Sequence, residues 1–215
     1  MVKLDIFSDP VCPWCYIGKA LLERALEQHP DHPFVVEWHP FQLNPEMDSQ
    51  GQDRRSYLEA KFGGKMNAAR AYARVEQAAE AAGVVIDFEK MPRMPNTLNA
   101  HRLIHWAGLE RKQTAAMSAL FRAYFRDGRD IGDADVLAEI GGGIGMDRAA
   151  VARLLASDAD LQPIRAREAH ARGRGIGAVP TFIIANQHAL QGAQPTEMWG
   201  RVIEDINRQL ASAVQ

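Results

Sequence analysis

"DPVCPWCYIG", residues 9–18, holds both cysteines of this 215-residue chain, Cys12 and Cys15, and its reading decides the fold. Such a pair admits three explanations: a redox couple, half of a metal site, or two small core residues that happen to be neighbours. Pro13 lacks an amide hydrogen and has a fixed φ, which suits the first position of a helix. Cys12 then falls at the helix cap, where unpaired N–H groups and the helix dipole favour a thiolate. Cys15 lies one turn on, on the same face. The redox reading therefore predicts an exposed Cys12 with a lowered pKa that attacks, and a more buried Cys15 that resolves. The metal reading needs two more ligands. His101 and His105, spaced i, i+4, complete a Cys2His2 set on paper, but a long segment separates them from the cysteines, against roughly a dozen residues in zinc fingers.

Working outward, "VKLDIF" (2–7) alternates apolar and polar residues and ends at Ser8-Asp9-Pro10, a strand followed by a turn. From Pro13 to about His29 the residues Trp14, Ile17, Leu21, Leu22, Ala25 and Leu26 recur at helical spacing. "FVVEWHPF" (34–41) is a second strand, so the first forty residues make a strand–helix–strand unit. The middle, rich in Ala, Arg and Glu, predicts helices near 53–62, 65–82, 96–108, 112–126, 133–141, 147–156 and 158–173, with Gly83 and Gly108 as stops. After "GRGIGAVP" (173–180) the pattern reverts: "TFIIA" (181–185) and "HALQG" (188–192) read as strands joined at Asn186-Gln187, and "PTEMWGRVIEDINRQL" (195–210) as a closing helix. The topology expected is an α/β domain built from 1–43 and 175–215, with an all-helical domain, 44–174, inserted.

Composition narrows the functions. The hydrophobic fraction of 47% allows a sizeable core, and the formal net charge of −2, without a basic stripe, argues against nucleic acid or an anionic membrane surface. No apolar run approaches the roughly 18 residues of a membrane span. The N-terminus reads as a strand that starts at once rather than as a signal peptide. The expectation is a cytoplasmic protein, where thiols are kept reduced and a Cys12–Cys15 staple has little structural use.

A C-x-x-C beside a βαβ pattern is one mark of a redox site; "GAVPTFII", with Pro180 directly before an apolar strand, is a second. Together they resemble the thioredoxin superfamily. The helical segment, "PNTLNAHRLIHWA" (95–107) in particular, is similar to its DsbA-like branch, the FrnE-type cytoplasmic dithiol–disulfide oxidoreductases, relatives of kappa-class glutathione transferases and 2-hydroxychromene-2-carboxylate isomerases. The resemblance covers essentially the whole chain. It implies a thioredoxin-like α/β fold and thiol–disulfide exchange or isomerisation, on protein or low-molecular-weight disulfides, with Cys12 and Cys15 as catalytic residues. It also implies a cis Pro180 facing them, and substrate contacts from Pro13, Trp14, Val179, Pro180 and Thr181. Asn96, Asn99, His101 and Arg102 would cap the site, touching a substrate or glutathione carboxylates. No cofactor or metal is required; glutathione enters as a reductant or ligand, and the helical domain offers a homodimer surface. The alternative is a glutathione-dependent isomerase or transferase acting on a small aromatic molecule, though those relatives usually carry serine where Cys12 stands. "PFQLNPEM" (40–47) reads as a hinge without chemistry, and Arg54-Arg55 and the arginines of 165–174 as solvated helix faces.

Overall fold

Leu4 to Ser8 are all buried, the mark of a strand covered on both faces, and β1 (Val2–Ser8) is indeed interior to its sheet. The computed structural model describes residues 1–212, so the last three positions of the expected α/β domain lie outside the described residues. β1 leads through a short turn into α1 (Pro13–Gln28) and then β2 (Phe34–Pro40), which pairs with β1 in parallel, Ile6 opposite Trp38. From the far end of the chain, β5 (Thr181–Ile184) returns antiparallel to β1, Ile6 opposite Phe182, and β6 (His188–Gln191) adds outside it. The order is β2-β1-β5-β6, so the two chain ends build one mixed sheet. The β5–β6 turn needs left-handed backbone at both Ala185 and Asn186 (φ 52° and 59°).

The closing helix α9 (Thr196–Ser212) locks this sheet through Trp199, which is fully buried. Its ring packs edge-on against Phe182 (centroids 4.9 Å apart) and Phe34 (6.4 Å); removing such a ring from a core costs about 3–5 kcal/mol.

Seven helices fill the middle: α2 (Arg54–Phe62), α3 (Lys65–Ala81), α4 (Leu98–Leu109), α5 (Gln113–Phe125), α6 (Ala134–Gly143), α7 (Arg148–Leu155) and α8 (Leu161–Gly173). α4 is the hub, buried nearly all round. It runs through Gly108, which does not stop it; Arg111, at φ 58°, makes the turn after it. Two short strands that the sequence does not announce, β3 (Gln52–Asp53) and β4 (Arg93–Met94), pair across the base of this arm. A two-residue strand has no periodicity to read.

Several contacts fix the arm to the sheet domain, those made by α5 among them. Tyr16 of α1 stacks on Phe121 and Phe125 of α5 (5.1 and 5.5 Å between centroids). The Gln113 side chain accepts from the Trp38 N–H (2.8 Å) and donates to the Trp38 carbonyl (3.0 Å), continuing the hydrogen bonding of β2 with a side-chain amide. Among the described residues no helix is long and apolar enough to cross a membrane.

Candidate active site

α1 starts at Pro13 with Cys12 as its N-cap, in extended conformation (φ −87°, ψ 115°) and with no side chain capping the helix. The turn before it is tied down at both ends. The Cys12 N–H donates to the Asp9 carbonyl at 2.9 Å, and the Asp9 carboxylate accepts from the N–H groups of Val11 (3.4 Å) and Leu43 (2.7 Å). Opposite stands the Val179–Pro180 bond, which is cis as the resemblance implied. The Cys12 thiol donates to the Val179 carbonyl oxygen at 3.7 Å, joining residues 167 positions apart. The bend is braced from behind: the Thr181 hydroxyl donates to the Ala178 carbonyl (2.7 Å) and the Gly192 N–H to the Pro180 carbonyl (2.8 Å). Gly18 lets α1 come this close, because a Cβ there would sit 3.1 Å from the Pro180 Cγ. No motif in the sequence singles out Gly18.

Cys12 lies at the edge of a cavity of about 450 Å³, walled by Pro13, Trp14, Leu43, Asn44, Val179 and side chains of α2, α3 and α5. The thiol is not exposed, contrary to the expectation from the helix cap. Cys12 is only 3% exposed, because the Val179 segment and the helical arm stand over it, and the cavity it lines is its approach. Cys15 is deeper, at 1%. Burial and the neighbouring Cys12 thiol push the Cys15 thiol well up, while Ser8 and the Asp9 backbone act weakly in the other direction. Both cysteines are free thiols.

Asp9 is fully buried, and loss of water raises its pKa to about 7 against the pull of its backbone donors. His101 Nε2 lies 3.8 Å from it without a hydrogen-bond partner, and burial drives His101 down to about 3, so the imidazole is neutral. The signs oppose. A carboxyl whose folded pKa is raised removes stability as pH climbs from about 4 to 7, whereas a histidine whose pKa is lowered removes it as pH falls below about 6.5. Asp9→Asn takes away the first effect only. Its unfolding free energy relative to wild type is expected to rise by about 1.4 kcal/mol per pH unit between pH 4.5 and 6.5, measurable by urea unfolding at several pH values; a pH-independent difference would refute this ionisation.

Of the substrate contacts expected, Pro13, Trp14 and Val179 line the cavity, but Pro180 and Thr181 do not. Pro180 packs toward Gly18, and Thr181 spends its hydroxyl on the bend. Asn96, Asn99, His101 and Arg102 do not line the cavity either. Asn96 donates to the Met47 carbonyl (2.6 Å) and caps the Leu98 N–H (2.9 Å). Asn99 accepts from Arg102. Arg102, 1% exposed, turns away to the α7–α8 junction, donating to the carbonyls of Leu154, Leu155, Ser157 and Ala159. The helix that was to cap the site is the hub of the arm instead. Cys12 and Cys15 form no metal-ligand group with His101 and His105; the trio among the described residues within mutual ligand reach is Asp5, Glu37 and His39, whose carboxylates both hold Lys3 (2.8 and 2.9 Å).

Arg165, Arg172 and Arg174 are exposed as expected of a solvated helix face, and Arg167 is half-buried, but Arg54 is not a solvated residue. Arg54 lies over the rings of Tyr72 and Phe88 and lines the cavity, while Arg55 is exposed. Arg172 pairs with the buried Glu168 at 2.7 Å. The hinge at 40–47 also gives Leu43 and Asn44 to the cavity wall. A lone helix-start arginine and a loop leucine have no spacing that would reveal them.

Strand, capped cysteine pair, cis proline and helical insertion define a thioredoxin fold of the DsbA type. A family profile described as a DSBA-like thioredoxin domain matches residues 3–204, and the chain belongs to that family, one of thiol oxidoreductases. The chain is 29% identical over 210 residues to the uncharacterized protein YwbO of Bacillus subtilis (strain 168), covering 95% of this chain and 96% of YwbO. The probable DsbA oxidoreductase SCO1869 of Streptomyces coelicolor superimposes with a TM-score of 0.85 at 31% identity, over 95% of this chain and 89% of that one. The cytosolic disulfide reductase DsbM of Pseudomonas aeruginosa, in its structure with GSH, shares the fold (TM-score 0.69, 22% identity, 96% and 99% covered).

Proposed function

We propose that this chain catalyses thiol–disulfide exchange through Cys12 and Cys15. The observation that carries the reading is the meeting of Cys12 with the Val179 carbonyl at the edge of a cavity. Cys12 attacks a substrate disulfide from the positive end of α1, and Cys15, one turn on and shielded, displaces the product from the mixed disulfide. Val179 lies beside the attacking sulfur, where its backbone can hold an extended substrate. The reaction needs no cofactor beyond a thiol reductant such as glutathione, which fits a reducing cytoplasm. The test is reduction of insulin by glutathione: wild-type protein accelerates it and Cys12→Ser does not. Equal acceleration by both would end the proposal.

One observation favours a second reading. The aromatic walls of the cavity suit a glutathione-dependent isomerase or transferase of small aromatic molecules. Calorimetry separates the two, since that chemistry requires tight glutathione binding that survives Cys15→Ser.

A further inference from the structure

The cavity beside Cys12 has a charge bias that exchange chemistry alone does not require. Arg54, Lys61 and Arg74 line it, and no aspartate or glutamate does. Arg54 is the unusual member. Its guanidinium carbon sits 4.8 Å from the centre of the Tyr72 ring and 5.0 Å from that of Phe88. Its Nε is buried without a hydrogen-bond partner. Arg93, on the neighbouring strand, has Asp130 at 3.5 Å, whereas Arg54 has no such acid among the described residues. The Tyr124 hydroxyl near it is kept neutral by burial and supplies no counter-charge. A cation partly withdrawn from water and left unpaired is costly, and an arriving anion recovers that cost through charge-assisted hydrogen bonds.

The other walls say what the anion is attached to. Leu58, Tyr72, Val75, Phe88, Met94 and Phe125 are apolar or aromatic, and about 450 Å³ is room enough for a small molecule beside Cys12. Resting on the exchange reading above, we infer that the substrate is a small acidic disulfide with an aromatic or apolar body, its anionic group held by Arg54 while its sulfurs reach Cys12.

The step balances within the pair. The Cys12 thiolate attacks one sulfur of R–S–S–R′, forming Cys12–S–S–R, and R′–S⁻ leaves and takes a proton from water. The Cys15 thiolate then attacks the Cys12 sulfur and expels R–S⁻, which is protonated likewise. The protein dithiol loses two electrons to become a disulfide, and the substrate gains them as two thiols.

The test is a single turnover of pre-reduced protein at fixed ionic strength, so no other reductant takes part. Two aromatic probes are compared: acidic 5,5′-dithiobis(2-nitrobenzoate) and neutral 2,2′-dithiodipyridine, each rate divided by that of free dithiothreitol. Wild type should favour the acidic probe. Arg54→Gln should lower that preference by about tenfold, the size of one charge-assisted contact, and Arg54→Lys should recover part of it. If Arg54→Gln does not fold, Lys61→Gln on the exposed rim carries the test, with a fall of about threefold expected. An unchanged preference overturns this inference and leaves exchange standing. If wild type reacts with neither probe faster than Cys12→Ser, the exchange reading itself falls.

Discussion

A Cys15→Ser variant mixed with a disulfide substrate is expected to stop halfway, carrying half of the substrate covalently on Cys12. The reason is positional. Cys12 lines the cavity, while Cys15 is buried one helical turn behind it, so an incoming disulfide meets the first sulfur and the second acts only from within. A group held against its target acts at an effective concentration far above that of millimolar free thiol. Losing it should lengthen the life of the mixed disulfide by about a hundredfold or more. Burial also pushes the Cys15 thiol up, so in wild type the resolving step should slow as pH falls. Intact-mass spectrometry reads the adduct directly: one substrate half on Cys15→Ser, and none on Cys12→Ser, whose exchange rate should drop about a thousandfold with the nucleophile gone. An adduct retained by Cys12→Ser but not by Cys15→Ser would reverse the roles.

The second large effect is on stability. Arg102 donates to four main-chain carbonyls around the end of α7 and stacks on Trp106, 4.9 Å from the ring centre. Those carbonyls include the last ones of α7, beyond the reach of its own helical N–H groups, so one guanidinium, together with Ser157, completes a helix end and the loop after it. Arg102→Met leaves the carbonyls of Leu155, Ser157 and Ala159 without this donor, while Leu154 keeps the N–H and hydroxyl of Ser157, and the expected loss is about 3–5 kcal/mol, comparable to breaking a buried ion pair. That is a large share of the 5–15 kcal/mol typical of a folded domain, and thermal or urea unfolding would show it. Below its melting range the variant should exchange disulfides at the wild-type rate per folded molecule. Intact stability with lost activity would return Arg102 to the substrate-contacting role that the family resemblance implies.

The backbone of this protein is legible because its signals are strong and local. Apolar residues at helical spacing mark α1 and α9, short β-rich runs mark the four strands of the main sheet, and Asp133 and Asp147 cap α6 and α7. The cysteine pair and the Val-Pro-Thr segment are legible because each is a compact motif, and the fold brings them together. What fails is direction. "NTLNAHR" shows polar residues at the start of a helix, but nothing in it says that Arg102 points to α7 while His101 points to Asp9. That depends on which neighbours surround α4. Arg54 fails for the same reason: beside Arg55 it reads as surface, and only the packing of α2 on α3 sets it over Tyr72 and Phe88.

The Gln113 side chain occupies both main-chain groups of Trp38. β2 is an outer strand, and an outer strand with free N–H and C=O groups invites another chain to extend the sheet. With those groups already engaged by a glutamine amide, self-templated growth into fibrils is blocked at the middle of that border. The helical arm thus guards the protein against polymerisation as well as roofing the Cys12 thiol.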